Sequence, residues 1–304
     1  MSRLCGDPIT LRPIMGAITW PPSSLVFALA MSSDAPCRTI VFSHANSFPA
    51  STYRPLFAYW REAGFNVQAV EQYGHDPRYP VTQDWPHLVE QLRDFIVQQG
   101  ASPVYLVGHS LGGYLSLMLA ARFPQLAQGV VVLDSPLVNG WRAMSLPLAR
   151  ATGLIDRVMP SGIAAQRCHE WPSLSATRQH FQAKPKFAAF HPEVFNAYVS
   201  HGTADHAVTS VRHLRFDRQV EAAIYRHFPG DLWQHLRRHP LHCPTAFIGG
   251  TRSGELRRVG LSATRQIFGQ HLSWLEGSHL YPMEDPASCA QAVLSWLNRF
   301  EGDA

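Results

Sequence analysis

With 304 residues, 46% of them hydrophobic and 16% charged, the chain can fill one large core, and its composition excludes coiled-coil, collagen-like and disordered classes. The net charge of +4 is mild, and Arg237-Arg238 and Arg257-Arg258 are isolated pairs without interleaved aromatics, so nucleic acid is not an expected partner. Cys5, Cys37, Cys168, Cys243 and Cys289 lie far apart with no CxxC pair, which argues against a zinc ribbon or disulfide framework and fits reduced thiols in a cytoplasmic protein.

Residues 1–37 read as an N-terminal extension or a pair of edge strands. Arg3 and Arg12 ahead of Leu25-Val26-Phe27-Ala28-Leu29-Ala30 open the alternative of an export signal, but Pro21-Pro22-Ser23-Ser24 leaves too short an apolar run. A true start at Met31 is a third reading. No run approaches the roughly 20 apolar residues of a membrane-spanning helix.

From residue 38 the pattern alternates. Thr39 to Phe42 is a short buried strand, Tyr53 to Ala63 is helical and stops at Gly64, and Phe65 to Val70 is the next strand. Trp85, Leu88, Val89, Leu92, Phe95 and Ile96 form one helical stripe, with Asp84 placed to cap it. A strand at Val104–Val107, a helix at Leu111–Phe123 and a strand at Val130–Leu133 follow. The rhythm resumes at Thr245–Ile248 and His271–Trp274 and ends in a helix opened by Asp285-Pro286. Such alternation predicts an α/β fold with a mainly parallel, doubly wound sheet. Residues 137–240 hold no clear buried strand and are too many for one loop, so they predict a helical cap inserted between two late strands. The core is then 38–136 and 241–304.

Gly108-His109-Ser110-Leu111-Gly112-Gly113 lies between a predicted strand and a predicted helix. An incidental serine in a glycine-lined turn would share the G-x-S-x-G pattern, but the strand before it and the helix after it fit a nucleophile elbow. Serine is a weak nucleophile at its free pKa and needs a base. Of 16 histidines, His279 in Glu276-Gly277-Ser278-His279-Leu280 lies between the last strand and the last helix, at the same sheet edge as Ser110. An oxyanion hole requires two backbone donors. Leu111 offers one, and the loop Ser43-His44-Ala45-Asn46-Ser47-Phe48-Pro49 the other, first of all from Asn46, unless it is only a polar loop.

The His44–Pro49 loop, the Tyr73-Gly74-His75-Asp76 turn, the Gly108–Gly113 elbow and Gly277-Ser278-His279 together resemble the α/β-hydrolase superfamily in its capped branch. The resemblance covers 38–135 and 243–300. It implies that an acid follows the penultimate strand, yet Ile248-Gly249-Gly250-Thr251-Arg252-Ser253-Gly254-Glu255 puts Ser253 where an aspartate is expected. Asp134, at the end of the strand after the nucleophile helix, is the first choice for the acid. Glu255 is the alternative, and a dyad without an acid is the third possibility. Asp134 could instead be a strand-end aspartate that makes a local turn with Ser135-Pro136. His75 and Asp76 read as structural. His235, His239, His242 and Cys243 could suggest a metal, but Pro240 interrupts them, so a solvated face is expected and neither metal nor cofactor is invoked.

These features imply a serine hydrolase of a carboxylic ester or thioester, acting through an acyl-enzyme on a small-molecule substrate. A carbon-carbon bond hydrolase with the same triad is the alternative, and a non-catalytic ligand-binding protein is a third reading. Trp141, Trp171, Phe181, Phe187, Phe190 and Phe195 could line an acyl pocket or form the cap's own core.

Overall fold

The computed structural model describes residues 38–100, 102–207 and 211–302, so the readings of residues 1–37 lie outside the described residues. The strands are β1 Thr39–Ser43, β2 Asn66–Ala69, β3 Val104–His109, β4 Ala127–Leu133, β5 Glu170–Trp171, β6 Thr203–Asp205, β7 Arg212–Leu214, β8 Thr245–Gly250 and β9 Leu272–Leu275. Six of them form one sheet in the order β2-β1-β3-β4-β8-β9, with every neighbouring pair parallel. The helices that flank the first half are α1 Arg54–Glu62, α2 Pro86–Gln99 and α3 Leu111–Arg122.

The period of two along each strand explains why both faces are covered. Ile40 and Phe42 of β1, Tyr105 and Val107 of β3, Val131 and Leu133 of β4, and Ala246 and Ile248 of β8 enter one core. Leu56, Phe57 and Trp60 of α1 fill it, with Val293, Trp296, Leu297 and Phe300 of the last helix, Pro286–Gly302. The alternate residues Val41, Val104, Leu106, Val130, Val132 and Phe247 enter the other core, against Leu88, Leu92 and Ile96 of α2 and Leu115 and Leu119 of α3. The sheet is doubly wound, and the strand order turns back between β1 and β3. Open parallel sheets form a crevice at the carboxyl ends of such a pair.

Asp84 does not cap α2. Asp84 and Trp85 are both left-handed (φ 61° and 58°), the helix starts at Pro86, and no side chain caps it. Burial of Trp85 decides the turn: its indole is 2% exposed, and Nε1–H donates to the Ile224 carbonyl at 3.0 Å. Proline in the first turn needs no amide partner there.

Between β4 and β8 the described residues form eight short helices, and to the expectation of no clear buried strand in this insert the structure adds three short strands. β5, β7 and β6 form a small antiparallel sheet in that order. Its strands are too short to show a period, and a buried Arg212 braces it. The guanidinium donates to Thr203 Oγ1 at 2.6 Å, Asp205 Oδ1 at 2.9 Å and the Thr203 carbonyl at 3.1 Å. Trp171, Phe181, Phe187 and Phe190 are buried in a cluster with Phe48 and Tyr198, and Phe195 packs against it. These aromatics form the insert's core, whereas Trp141 is exposed. The rings of His235 and His239 lie 5.0 Å apart at the end of the helix Leu232–Arg238. Both face a cavity of about 870 Å³ together with His242. Cys168, Cys243 and Cys289 are free thiols. Among the described residues no helix is long and apolar enough to cross a membrane.

Candidate active site

Ser110 stands between β3 and α3 with φ 55° and ψ −112°, a conformation rare for a residue with a side chain. Strain of this kind persists only where the surroundings impose it. The imposing contacts are close. A Cβ on Gly108 would lie 2.1 Å from the Gly112 carbonyl oxygen, and one on Gly112 would lie 1.9 Å from the Ser43 carbonyl oxygen. The start of α3 therefore sits directly on the end of β1. Although Ser110 occupies the N-cap position, its hydroxyl makes no capping hydrogen bond, which leaves it free for other work. Gly112→Ala is expected to cost about 3 kcal/mol or more, because the atom it meets is backbone. A thermal melt within about 2 °C of wild type would contradict that packing.

Asp134 ends β4 in a left-handed conformation (φ 47°) and is fully buried. Its Oδ1 accepts the Gly250 amide at 2.7 Å, and its Oδ2 accepts the Ser253 hydroxyl at 2.6 Å. His279 Nδ1 lies 2.7 Å from the same Oδ2. Gly250 permits the approach: a Cβ there would meet the Ser278 carbonyl at 2.5 Å. Ser253, where an aspartate was expected, supports the carboxylate from the other strand end and also accepts the Leu256 amide at 3.2 Å as a helix N-cap. Glu255 Oε2 is 3.8 Å from the same imidazole nitrogen, and its side chain is 42% exposed. That separation is beyond a hydrogen bond, and solvent screens the charge. Asp134 is thus the dominant partner and Glu255 a weaker second charge.

Burial by itself would lower the His279 pKa. The hydrogen bond and charge of Asp134, joined by the charge of Glu255, outweigh that and hold it above the ordinary imidazole value. Asp134, Glu255 and His279 are also the group of three potential metal ligands that the described residues bring together, within 4.8 Å. Nδ1 carries the proton that it donates to Asp134 Oδ2, so it offers no lone pair to a metal, and the arrangement reads as a hydrogen-bonded pair with a neighbouring carboxylate.

The loop after β1 is fixed by polar contacts that the sequence did not reveal. His44 is fully buried, its Nδ1 2.8 Å from the Ala45 carbonyl, and its Nε2 accepts the Tyr73 amide at 3.2 Å. Burial pushes its pKa down to about 4, so the ring is neutral. Ser43 Oγ and the Tyr73 hydroxyl lie 2.8 Å apart, tying this loop to the Tyr73–Asp76 turn. In that turn His75 Nε2 accepts the Asp217 amide at 2.9 Å, and Asp76 pairs with Arg78. Both residues hold the loop's shape.

A second chain of contacts starts at Ala45, whose amide donates to the Tyr53 hydroxyl at 3.2 Å. That hydroxyl lies 2.8 Å from His109 Nδ1, and His109 Nε2 lies 2.8 Å from the His279 carbonyl. A carbonyl only accepts, so Nε2 carries the proton and Tyr53 donates to Nδ1. Burial pushes the His109 pKa down to about 3, which keeps this bridge neutral. The insert holds the loop from above. Asn46 Nδ2 donates to the Glu221 carbonyl at 3.1 Å, and the Glu221 carboxylate pairs with Arg167 at 2.7 Å. Arg167 also donates to the Tyr198 hydroxyl at 3.2 Å, and the Tyr198 ring packs on Phe48. Arg167, Glu221, Tyr198 and Tyr53 carry no local sequence signal, and only the Gly-His-Ser order hints at His109.

A strained strand-to-helix serine after β3 and a histidine–aspartate pair that joins the ends of β4 and β9, all at the carboxyl edge of a parallel sheet, follow the pattern of an α/β-hydrolase site. The chain belongs to the alpha/beta hydrolase family, whose model matches residues 40–292. It is 24% identical over 290 residues to the protein named "Putative carbamate hydrolase RutD" of Pantoea ananatis, covering 88% of this chain and 90% of that one. Among solved structures it is similar to E-2-(acetamidomethylene)succinate hydrolase, with TM-score 0.68, 18% identity and coverage of 86% and 91% of the two chains. It is also similar to the thioesterase domain from the curacin biosynthetic pathway, with TM-score 0.65, 17% identity and coverage of 86% and 92%. At such identities these two structures speak to the fold alone.

Proposed function

We propose that this protein is a serine hydrolase that cleaves a carboxylic ester or thioester through an acyl-enzyme on Ser110. Two observations carry this reading: the 2.7 Å contact of His279 Nδ1 with a fully buried Asp134, and a strand-to-helix serine held at φ 55° with an uncapped hydroxyl. Asp134 holds Nδ1–H, which leaves Nε2 as the base. Ser110 Oγ attacks the acyl carbon as its proton passes to His279 Nε2. The tetrahedral oxyanion is stabilised by the amide of Leu111, one of the first amides of α3, which have no acceptor within the helix. The Ala45 amide is taken by Tyr53, which favours Asn46 as the second donor. Collapse expels the alcohol or thiol, which takes the proton from Nε2. Water then attacks the acyl-enzyme, with His279 as base again, and releases the acid and Ser110.

In this reading residues 137–240 form a cap over the site, and Arg167, Glu221 and Tyr198 position the oxyanion loop. The chemistry requires no cofactor. The test is pre-steady-state hydrolysis of a nitrophenyl ester, with acyl thioesters, a carbamate ester and a β-diketone run beside it. A burst of nitrophenol matching the enzyme concentration, with turnover of esters or thioesters, is the expected result. Turnover of the diketone alone would move the assignment to carbon-carbon cleavage.

The pH profile provides a second test. His279 must be neutral to act as base, so kcat/KM rises with pH through its pKa, which lies above the ordinary imidazole value. Glu255 stabilises the imidazolium. Glu255→Gln is therefore expected to move the acid limb to lower pH, and a shift to higher pH would contradict the contact.

A further inference from the structure

The first helix of the insert, Gly140–Ala151, turns an apolar face to solvent. Trp141, Met144 and Leu148 follow at i, i+3 and i+7, on one side of the helix. They are 69%, 74% and 66% exposed. The opposite side is also apolar, with Leu146 and Ala149 packed on Ile155. A surface helix ordinarily presents polar residues outward. Farther along the chain Leu154, Val158 and Ile163 are exposed as well, the last at 80%. Large apolar side chains clustered on a surface mark an interaction site.

Charge indicates what covers it. Between Leu137 and Gln166 the acidic residue is Asp156, and the basic ones are Arg142, Arg150 and Arg157. Asp156 is already engaged: it accepts from Arg226 at 2.8 Å and from Ser161 at 2.6 Å. Arg150 turns inward to the Arg226 carbonyl at 2.9 Å. Arg142 and Arg157 remain exposed, and the Arg142 guanidinium lies 4.8 Å over the Trp141 ring. A second copy of the same face would bring these arginines against each other. An anionic bilayer satisfies both features, with apolar side chains in the acyl boundary, tryptophan at the interface and arginines at the phosphates.

We propose that the exposed helix face of Trp141, Met144 and Leu148 docks on an anionic phospholipid surface. Docking is independent of the reading of Ser110 as a nucleophile. The test is co-sedimentation of the full chain with phosphatidylcholine vesicles, with and without about 30% phosphatidylglycerol. The chain is expected to bind the anionic vesicles and to be released by about 0.5 M NaCl, where screening shortens the reach of the arginines. Changing Trp141, Met144 and Leu148 together to Ser is expected to weaken binding about tenfold or more. Arg142→Gln with Arg157→Gln is expected to weaken it at low salt. All five side chains are exposed, so circular dichroism and the thermal melt of both variants are expected to match wild type. Ser110→Ala is expected to bind like wild type, which separates docking from catalysis. Equal binding by the triple variant, or no binding by the wild type, would overturn the proposal. So would a concentration-dependent dimer that the triple change dissolves without any vesicle binding, because the occupant would then be a second copy.

Discussion

Ser110→Ala is expected to reduce ester turnover on the order of a million-fold, the scale seen when a triad nucleophile is removed. The expectation follows from the division of labour at the elbow. The hydroxyl supports no helix cap, so its removal takes away the attacking atom and little structure. The strained backbone remains, because Gly108 and Gly112 impose it from neighbouring positions. The thermal melt should therefore stay within about 1 kcal/mol of wild type, as for substitutions that break no packing or hydrogen bond. His279→Ala is expected to cost about as much, and the double variant no more, since groups that act in one step are not additive. Residual turnover within about tenfold of wild type in Ser110→Ala would contradict this account.

Asp134→Asn is the second large effect, expected to lower kcat about 10,000-fold. The buried carboxylate accepts from Gly250, Ser253 and His279 at once. An amide in its place offers a donor where His279 Nδ1 needs an acceptor. The imidazole then takes the wrong tautomer, with its proton on Nε2, and can no longer accept the serine proton. Glu255→Gln is expected to cost less than about tenfold, because its carboxylate is 3.8 Å away and screened by solvent. If Glu255→Gln proved the more damaging change, Glu255 would be the acid and the Asp134 contact a structural one.

The contrast between these two carboxylates indicates what the sequence could express. The elbow announces itself because a sharp strand-to-helix turn needs glycines at fixed offsets from Ser110. His279 is legible for a similar reason, lying between the last strand and the last helix. The alternation of apolar runs made the strands and helices legible in chain order, since buried parallel strands must be apolar on both faces. The choice of acid was harder, because Asp134 and Ser253 lie on different strand ends that meet only in the fold. The structure brings Ser253 onto Asp134, so the residue at the expected acid position is a hydroxyl that donates to the Asp134 carboxylate.

Other contacts were invisible for the same reason of distance along the chain. Tyr53, His109 and the His279 carbonyl form one chain of hydrogen bonds across three separate segments. The Arg167–Glu221 pair reaches the Asn46 loop from the insert. Local rules also misled in two places. Asp84 has the composition of a helix cap, but the burial of Trp85 sets that turn. The small β5-β7-β6 sheet has strands too short for a period and is held by a buried arginine, which hydrophobic patterning cannot register.

An activated serine at position 110 would be trapped by a fluorophosphonate, and intact mass after incubation reads the adduct without a substrate. One adduct is expected on the wild type, none on Ser110→Ala, and slow labelling on Asp134→Asn. No adduct on a folded wild type, or an adduct that persists in Ser110→Ala, would contradict that activation.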